Sequence, residues 1–239
     1  MEKNKLNRFI SKYSLSGKAN SVIWKIKNNK LETSFVTENK SLLGKAEVDN
    51  FTFEDAEIGI YDTDQLQKLL NVLSDNISLS LRKFAEKPLS LNVESENTSV
   101  EFVLSDTSVI PEPPKMKKIP EFETEIKVDS SFVNSFIKGK TALPDNSTFT
   151  VVKNTDGCNV VIGHSNTTTN RVNISVENIK CGIDNNLSFD ADLFKEILQS
   201  NRECSNAVLQ VSNEGLAKIK FNVDDFVAEY FMVAKSETD

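Results

Sequence analysis

At 239 residues the chain can hold one large domain or two of about 100 to 120 residues each. It is 38% hydrophobic and 26% charged, with a net charge of −7. Its apolar runs fall short of the roughly 20 residues that a membrane-spanning helix needs. That balance excludes a helical membrane protein and a module that is basic overall. An acidic chain that meets DNA has to confine its basic groups to one face.

The opening stretch, MEKNKLNRFISKYS, mixes charges through its apolar residues and has no continuous apolar core, so an intracellular, cytoplasmic protein is expected. Leu6, Phe9, Ile10 and Tyr13 recur at helical spacing from about Asn4 to Ser14, while Lys5, Arg8 and Lys12 share another face within about 60° of arc. Period-2 alternation then predicts strands in SVIWKIK, LETSFVT and near LLGKAEV. Asp62 or Thr63 can cap a second helix carrying Leu66, Leu69, Leu70 and Leu73, with its end near Asp75. NISLSLRKF, PLSLNVE and SVEFVLS follow as three strands in hairpin order.

Between Ser105 and Glu123 lie Pro111, Pro113, Pro114 and Pro120, four of the six prolines. Proline fixes φ and withholds a backbone donor, so this stretch is read as an extended, semi-rigid connector. Beyond it EFETEIKV leads into a helix from Asp129 with Phe132, Val133, Phe136 and Ile137, and Gly139 is its expected stop. STFTVVK, NVVIGHS and TNRVNISVE read as strands, with the Asp156–Gly157 pair turning the first hairpin. Asp190 or Asp192 caps a helix holding Leu193, Phe194, Ile197 and Leu198, and AVLQVS, LAKIKFNV and FVAEYFMVA close the chain.

The two halves are one pattern written twice. At an offset of 128, IYDTDQLQKLL meets SFDADLFKEIL, pairing Asp62 with Asp190 and Leu70 with Leu198. At an offset of 127, NRFI at 7–10 meets NSFI at 134–137. A tandem duplication follows: domain 1 over 1–106, a connector over 107–120 and domain 2 over 121–239. Each half reads as two copies of a helix and a short strand meander, which makes the fold class α+β.

Chemistry-bearing residues are scarce. Cys158, Cys181 and Cys204 are odd in number and widely spaced, so three reduced thiols are expected, with neither a disulfide nor a zinc site. His164 is the only histidine and reads as a polar residue near a strand end. Triads, zinc sites and most acid–base schemes need a histidine with placed partners, so a non-enzyme without metal or cofactor is expected.

Helix, meander, helix, meander, duplicated across a connector, resembles the DNA polymerase sliding-clamp (processivity-factor) family. That family includes proliferating cell nuclear antigen and the clamps of large tailed phages. AEIGIYDTDQLQKLLNVLSDN and KKIPEFETEIKVDSSFVNSFIKG look most like the phage members. The resemblance implies helices on an inner, DNA-facing side and antiparallel sheets outside. It further implies a homotrimeric ring around duplex DNA without sequence preference, and as partners a DNA polymerase and a clamp loader. On that basis Lys3, Lys5, Arg8, Lys12, Lys68, Lys138, Lys140, Lys195 and Arg202 are the expected DNA-facing residues. Val100, Phe102, Val172 and Ile174 are expected at the subunit interface, either there or paired within their own domains. Met116, Ile119, Phe231 and Val233 are expected at a pocket for partner peptides. The rival readings are an oligomeric structural protein of a virion or surface assembly, a monomeric DNA-binding processivity factor, and a peptide- or lipid-carrying module.

Overall fold

Two helix stripes and the strands that cover them recur in each half of the chain. The computed structural model describes residues 1–155 and 157–235, which divide into two compact units. Unit 1 is Met1–Glu38, Gly44–Pro114 and Asp224–Val227; unit 2 is Asn39–Leu43, Lys115–Val223 and the residues from Ala228 on.

Unit 1 begins with α1 (Lys3–Ser14), which buries Leu6, Phe9, Ile10 and Tyr13 as its spacing dictates. Strands β1 (Val22–Lys27), β2 (Lys30–Val36), β3 (Leu42–Val48) and β4 (Ala56–Ile60) follow, in the lateral order β3-β2-β1-β4. Helix α2 (Thr63–Leu70) starts on Asp62, whose carboxylate accepts the Gln65 N–H at 2.8 Å. Strands β5 (Ser78–Phe84), β6 (Lys87–Glu94) and β7 (Ser99–Val103) form a separate meander. Its register sets Leu79 opposite Val93 and Leu91 opposite Phe102, which places the apolar side chains on one face. The core gathers Phe9, Tyr13, Trp24 and Phe35, with Phe9 and Trp24 edge to face at 5.7 Å.

Unit 2 runs β8 (Thr124–Asp129), α3 (Ser130–Ala142), β9 (Thr148–Asn154), β10 (Gly157–Ile162), β11 (Val172–Ser175), β12 (Asn178–Lys180) and β13 (Leu187–Asp190). It continues with α4 (Ala191–Ser200), β14 (Asn206–Val211), β15 (Leu216–Val223) and β16 (Phe226–Val233). The order β11-β10-β9-β13 repeats that of β3-β2-β1-β4, and β14-β15-β16 repeats β5-β6-β7, with β8 added beside β14 and β12 beside β8. Even β8 has a remnant in unit 1: Lys3 donates its N–H to the Asp75 carbonyl at 2.7 Å and Ile77 donates to Met1 at 2.9 Å. Asp190 caps α4 through the Leu193 N–H at 2.9 Å, as Asp62 caps α2. The duplication therefore extends to strand order and helix caps.

Five expectations change. Helix α2 ends at Leu70, short of the stop expected near Asp75, so Leu73 lies beyond it. AEIGI, which opens the segment likened to the phage members and carries no predicted strand of its own, is a strand, β4, in register with β1 from Val22↔Ile60 to Ile26↔Ala56. Helix α3 runs past Gly139 to Ala142, and Gly139 serves packing: a Cβ there would lie 3.0 Å from Val172 Cγ1 and 3.2 Å from Ile162 Cδ1. TNRVNISVE is not one strand, because Val176 and Glu177 carry the chain from β11 in one sheet to β12 in the other. That crossing also overturns the reading of three free thiols. Cys158 on β10 and Cys181, just past β12, form a disulfide with their Cα atoms 6.1 Å apart, while Cys204 is free and buried. The Asn178 side chain supports the junction, accepting the Cys158 N–H at 3.1 Å and donating to its carbonyl at 3.0 Å. Asp156 of the expected turn lies outside the described residues; Gly157 beside it pairs with Asn154.

Two measurements check this description. Cys181→Ser should lower unfolding stability by about 3 kcal/mol, the loop-closure value for a cross-link of this span, and adding reductant should then change its denaturant midpoint no further. Asp62→Ala and Asp190→Ala should each cost about 1 kcal/mol, the usual loss for an N-cap carboxylate.

Candidate functional site

The cations of α1 cluster on one face, as their spacing requires, but that face is occupied. Lys5 donates to the carbonyls of Asp49 at 2.9 Å and Asn50 at 3.1 Å, and pairs with the Asp225 carboxylate at 2.7 Å. Asn50 donates to the other oxygen of Asp225 at 3.0 Å. Arg8 pairs with Asp224 at 3.1 Å and lays its guanidinium 4.4 Å from the centre of the Phe226 ring. Hydrogen bonds from Lys5 and then Asn50 hold the Asp225 carboxyl below the ordinary aspartate range. Lys3 donates to the Leu73 carbonyl.

Lys12 is only 1% exposed, its ammonium 5.4 Å from the Phe226 ring centre, and Lys140 is 3% exposed, bonded to the Pro144 carbonyl and the Asp192 carboxylate at 2.8 Å each. Neither is a surface cation, and the expectation that they face DNA is corrected. Lys12 lies at the border of the apolar stripe, where a long aliphatic stem can be buried. Lys140 lies 127 residues beyond Tyr13, at the position repeated from that buried tyrosine.

The remaining helical cations stay accessible. Lys68 on α2 and Lys138 on α3 are exposed and carry no ion pair among the described residues. Lys195 on α4 is half-buried, and Arg202, just past α4, donates to Asn134 of α3 at 3.1 Å. Between α1 and α2 a groove of about 490 Å³ is lined by Asn7, Ser11, Asp64, Gln67, Lys68 and Asn71. Amides and hydroxyls dominate it, groups able to hydrogen-bond a phosphate without holding it as an ion pair would. Asn7 and Ser11 carry no charge and belong to no motif, so the sequence alone does not mark them.

The expected interface strands are end strands: β7 pairs with β6 alone and β11 with β10 alone within their sheets. Phe102 is 5% and Ile174 6% exposed, so their side chains belong to their own units, not to a contact with a neighbour. Val100 and Val172 are half-buried, the latter against Gly139. What these edges offer outward is backbone, together with Val103, which is 75% exposed.

Of the four residues expected at a partner pocket, Met116 and Ile119 are exposed on the connector. Val233 is also exposed and donates its N–H to the Ser41 carbonyl at 3.0 Å. Phe231 is buried, with the Lys218 ammonium 5.5 Å from its ring centre.

Two units, each a helix pair with two antiparallel sheets in the same strand order, define the class: this is the sliding-clamp fold. No family model matches the sequence, and no curated protein matches it. Solved structures match it along its length. Proliferating cell nuclear antigen from Entamoeba histolytica aligns over 99% of this chain and 97% of its own, at 15% identity and a TM-score of 0.74. The Thermococcus kodakaraensis protein of that name aligns over 98% of both chains, at 14% identity and a TM-score of 0.73. The A. fulgidus protein, solved with the C-terminal region of FEN-1 bound, covers 100% of this chain and 98% of its own, at 14% identity and a TM-score of 0.76. At those identities the likeness is one of fold.

The depressed pKa of Asp225 fixes a pH dependence. The unfolded state takes up the proton first, so the stabilising tie is complete above the ordinary aspartate range and is lost as the pH falls through the lowered value. Asp225→Asn should therefore lower the melting temperature at neutral pH, with the difference from the parent chain shrinking on acidification.

Proposed function

We propose that this chain is a sliding clamp: copies of it close into a ring, a homotrimer, around duplex DNA and tether a DNA polymerase for processive synthesis. The observation that carries this reading is the match of fold along essentially the whole chain, with both units present and the strand order of unit 1 repeated within unit 2. A clamp needs no base readout, because a topological link holds it on DNA while transient backbone contacts let it move. Accessible Lys68, Lys138, Lys195 and Arg202, with the amide-lined groove of unit 1, are the proposed contacts. So few cations in an acidic chain give weak, quickly exchanging contacts.

In this proposal a ring closes head to tail, which requires two different edges on each subunit. The open edges of β7 and β11 supply them, pairing mainly through backbone hydrogen bonds. A clamp loader is the implied partner for opening the ring. A tailed-phage source, with the host cytoplasm as the site of action, belongs to the same proposal and rests on the two sequence segments quoted above. The partition at the connector, with domains over 1–106 and 121–239, is part of it too. A non-catalytic role belongs to the same proposal.

Light scattering behind a sizing column should give a particle of about three times the 26.7 kDa subunit. Loaded onto circular DNA, the ring should be retained and then lost when the circle is linearised. A monomer at micromolar concentration would remove the closed ring and favour a direct-binding processivity factor. Lys68→Gln with Lys138→Gln should leave the particle mass unchanged and make the salt dependence of DNA binding shallower, by about one unit of slope per lysine.

A further inference from the structure

The β14-β15-β16 meander of unit 2 has one edge covered by β8, which runs antiparallel along β14 from Asp129 opposite Asn206 to Thr124 opposite Val211. Under that cover Leu209 and Val211 are fully buried, as are Thr124 and Ile126 of β8 itself. In unit 1 the matching strand is β5. The bridge Glu2↔Asn76 repeats Asp129↔Asn206, and LNV at 91–93 repeats FNV at 221–223, which sets the offset here at 130. Leu79 therefore stands where Leu209 does, and Leu81 where Val211 does. The cover is not repeated. Its remnant reaches only from Lys3, opposite Asp75, to Met1, opposite Ile77. Among the described residues β5 pairs with β6 alone, and Leu79 and Leu81 are left half-buried.

Backbone geometry says which groups this edge presents. Met1 and Ile77 exchange both of their main-chain hydrogen bonds, at 2.7 and 2.9 Å. Alternate residues of an antiparallel strand turn their N–H and C=O groups the same way, so those of Leu79 and Leu81 point to the same, open side. The far end of the edge is closed. The register with β6 shifts between Arg82 and Lys83, and Lys83 is tied to Glu54. The open stretch is thus Ser78 to Arg82, long enough for one short added strand. Arg82 keeps 66% of its side chain exposed even while paired with Glu101.

We propose that the open edge of β5 takes up an extended segment of a partner protein as an added antiparallel strand. The homologous edge shows the chemistry that fits: small or branched side chains at alternate positions over Leu79 and Leu81, and an acid beside Arg82. In β8 the first role belongs to Ile126 and Thr124. The register carried one residue further places Glu123 at the position that would face Arg82. The same charge argues against a second copy of β5 as the occupant, because SLSLRKF has no acid to set beside Arg82. This inference rests on the uncovered edge and not on the clamp reading, and it uses a different strand from the β7 and β11 edges assigned to the ring.

The probe is a fluorescein-labelled peptide with the sequence of residues 122–129, Phe-Glu-Thr-Glu-Ile-Lys-Val-Asp, titrated by anisotropy against the full chain. It should bind, and hydrogen exchange should show the Leu79 and Leu81 amides slowing when it does. N-methylation of the peptide's isoleucine removes one ladder donor and should weaken binding about tenfold. Replacing its first glutamate by lysine should weaken binding about threefold at low salt and less at high salt. Arg82→Glu should reverse that preference; the site is exposed, and an unchanged melting temperature confirms the fold. Absence of binding, equal binding of the N-methylated peptide, or protection confined to other strands overturns the proposal. A chain whose peptide-free particle mass is halved by Arg82→Glu pairs β5 with a second copy, which overturns the partner segment. The ring is judged separately: a monomer that still binds the peptide removes the ring alone, and a trimer that does not bind it removes the added strand alone.

Discussion

In each unit two amphipathic helices must bury their apolar stripes in the same place, and the rings at that place set the geometry of everything around them. In unit 2 Phe136 of α3 lies 4.9 Å from Phe194 of α4 and 5.3 Å from Phe149 of β9, with Phe149 and Phe194 stacked at 4.8 Å. Aromatic side chains bury the most area per residue and pack in few orientations, so three elements meeting at three rings have little freedom to slide. Unit 1 solves the same problem with Phe9, Tyr13, Trp24 and Phe35. Its polar atoms need partners, and Trp24 donates to the Tyr13 hydroxyl, which shares a hydrogen bond with Thr63 at the start of α2. Burial pushes the Tyr13 phenol well above its ordinary pKa, so it stays neutral.

That packing decides which helical residues remain for chemistry. Position 13 and its repeat at 140 both reach the start of the following helix, Tyr13 through Thr63 and Lys140 through Asp192. The duplication thus preserved a tie between helices while changing its chemistry from a hydroxyl pair to an ion pair. A buried ammonium is stable only when paired and hydrogen-bonded, as Lys140 is. The charge on α1 is likewise committed within unit 1, to the acidic turn at Asp224 and Asp225. The helical surface that remains exposed is mostly amide and hydroxyl with few free lysines. In the proposed clamp such a surface would favour movement along DNA over residence at one site.

The end strands and the connector complete the picture from opposite directions. An end strand must be protected or used, and β7 and β11 carry no charged barrier beyond Glu101. The connector is kept extended by its prolines and displays both apolar and cationic groups. In the proposed ring the end strands would pair with a neighbouring copy through backbone hydrogen bonds.

Much of the fold could be read from one dimension. Helical spacing in Leu6–Tyr13, alternation in the longer strands, the two Asp caps and the repeat at 127 to 128 residues are local or periodic signals, and they survive in the structure. Short elements escaped: β4 and β12 are too brief to show alternation and exist because a neighbouring strand offers its edge. The site was less legible. Spacing placed Lys5, Arg8 and Lys12 on one face of α1, yet what that face meets is a turn more than 200 residues away. Cys158 and Cys181 are 23 residues apart and lack any disulfide signature; the passage of the chain between two sheets brings them together. Periodicity determines which side of an element is apolar, because that depends only on the geometry of the element itself. Which charges are spent inside the protein, and which remain for a partner, depends on contacts between residues distant in sequence, and only the tertiary structure decided it.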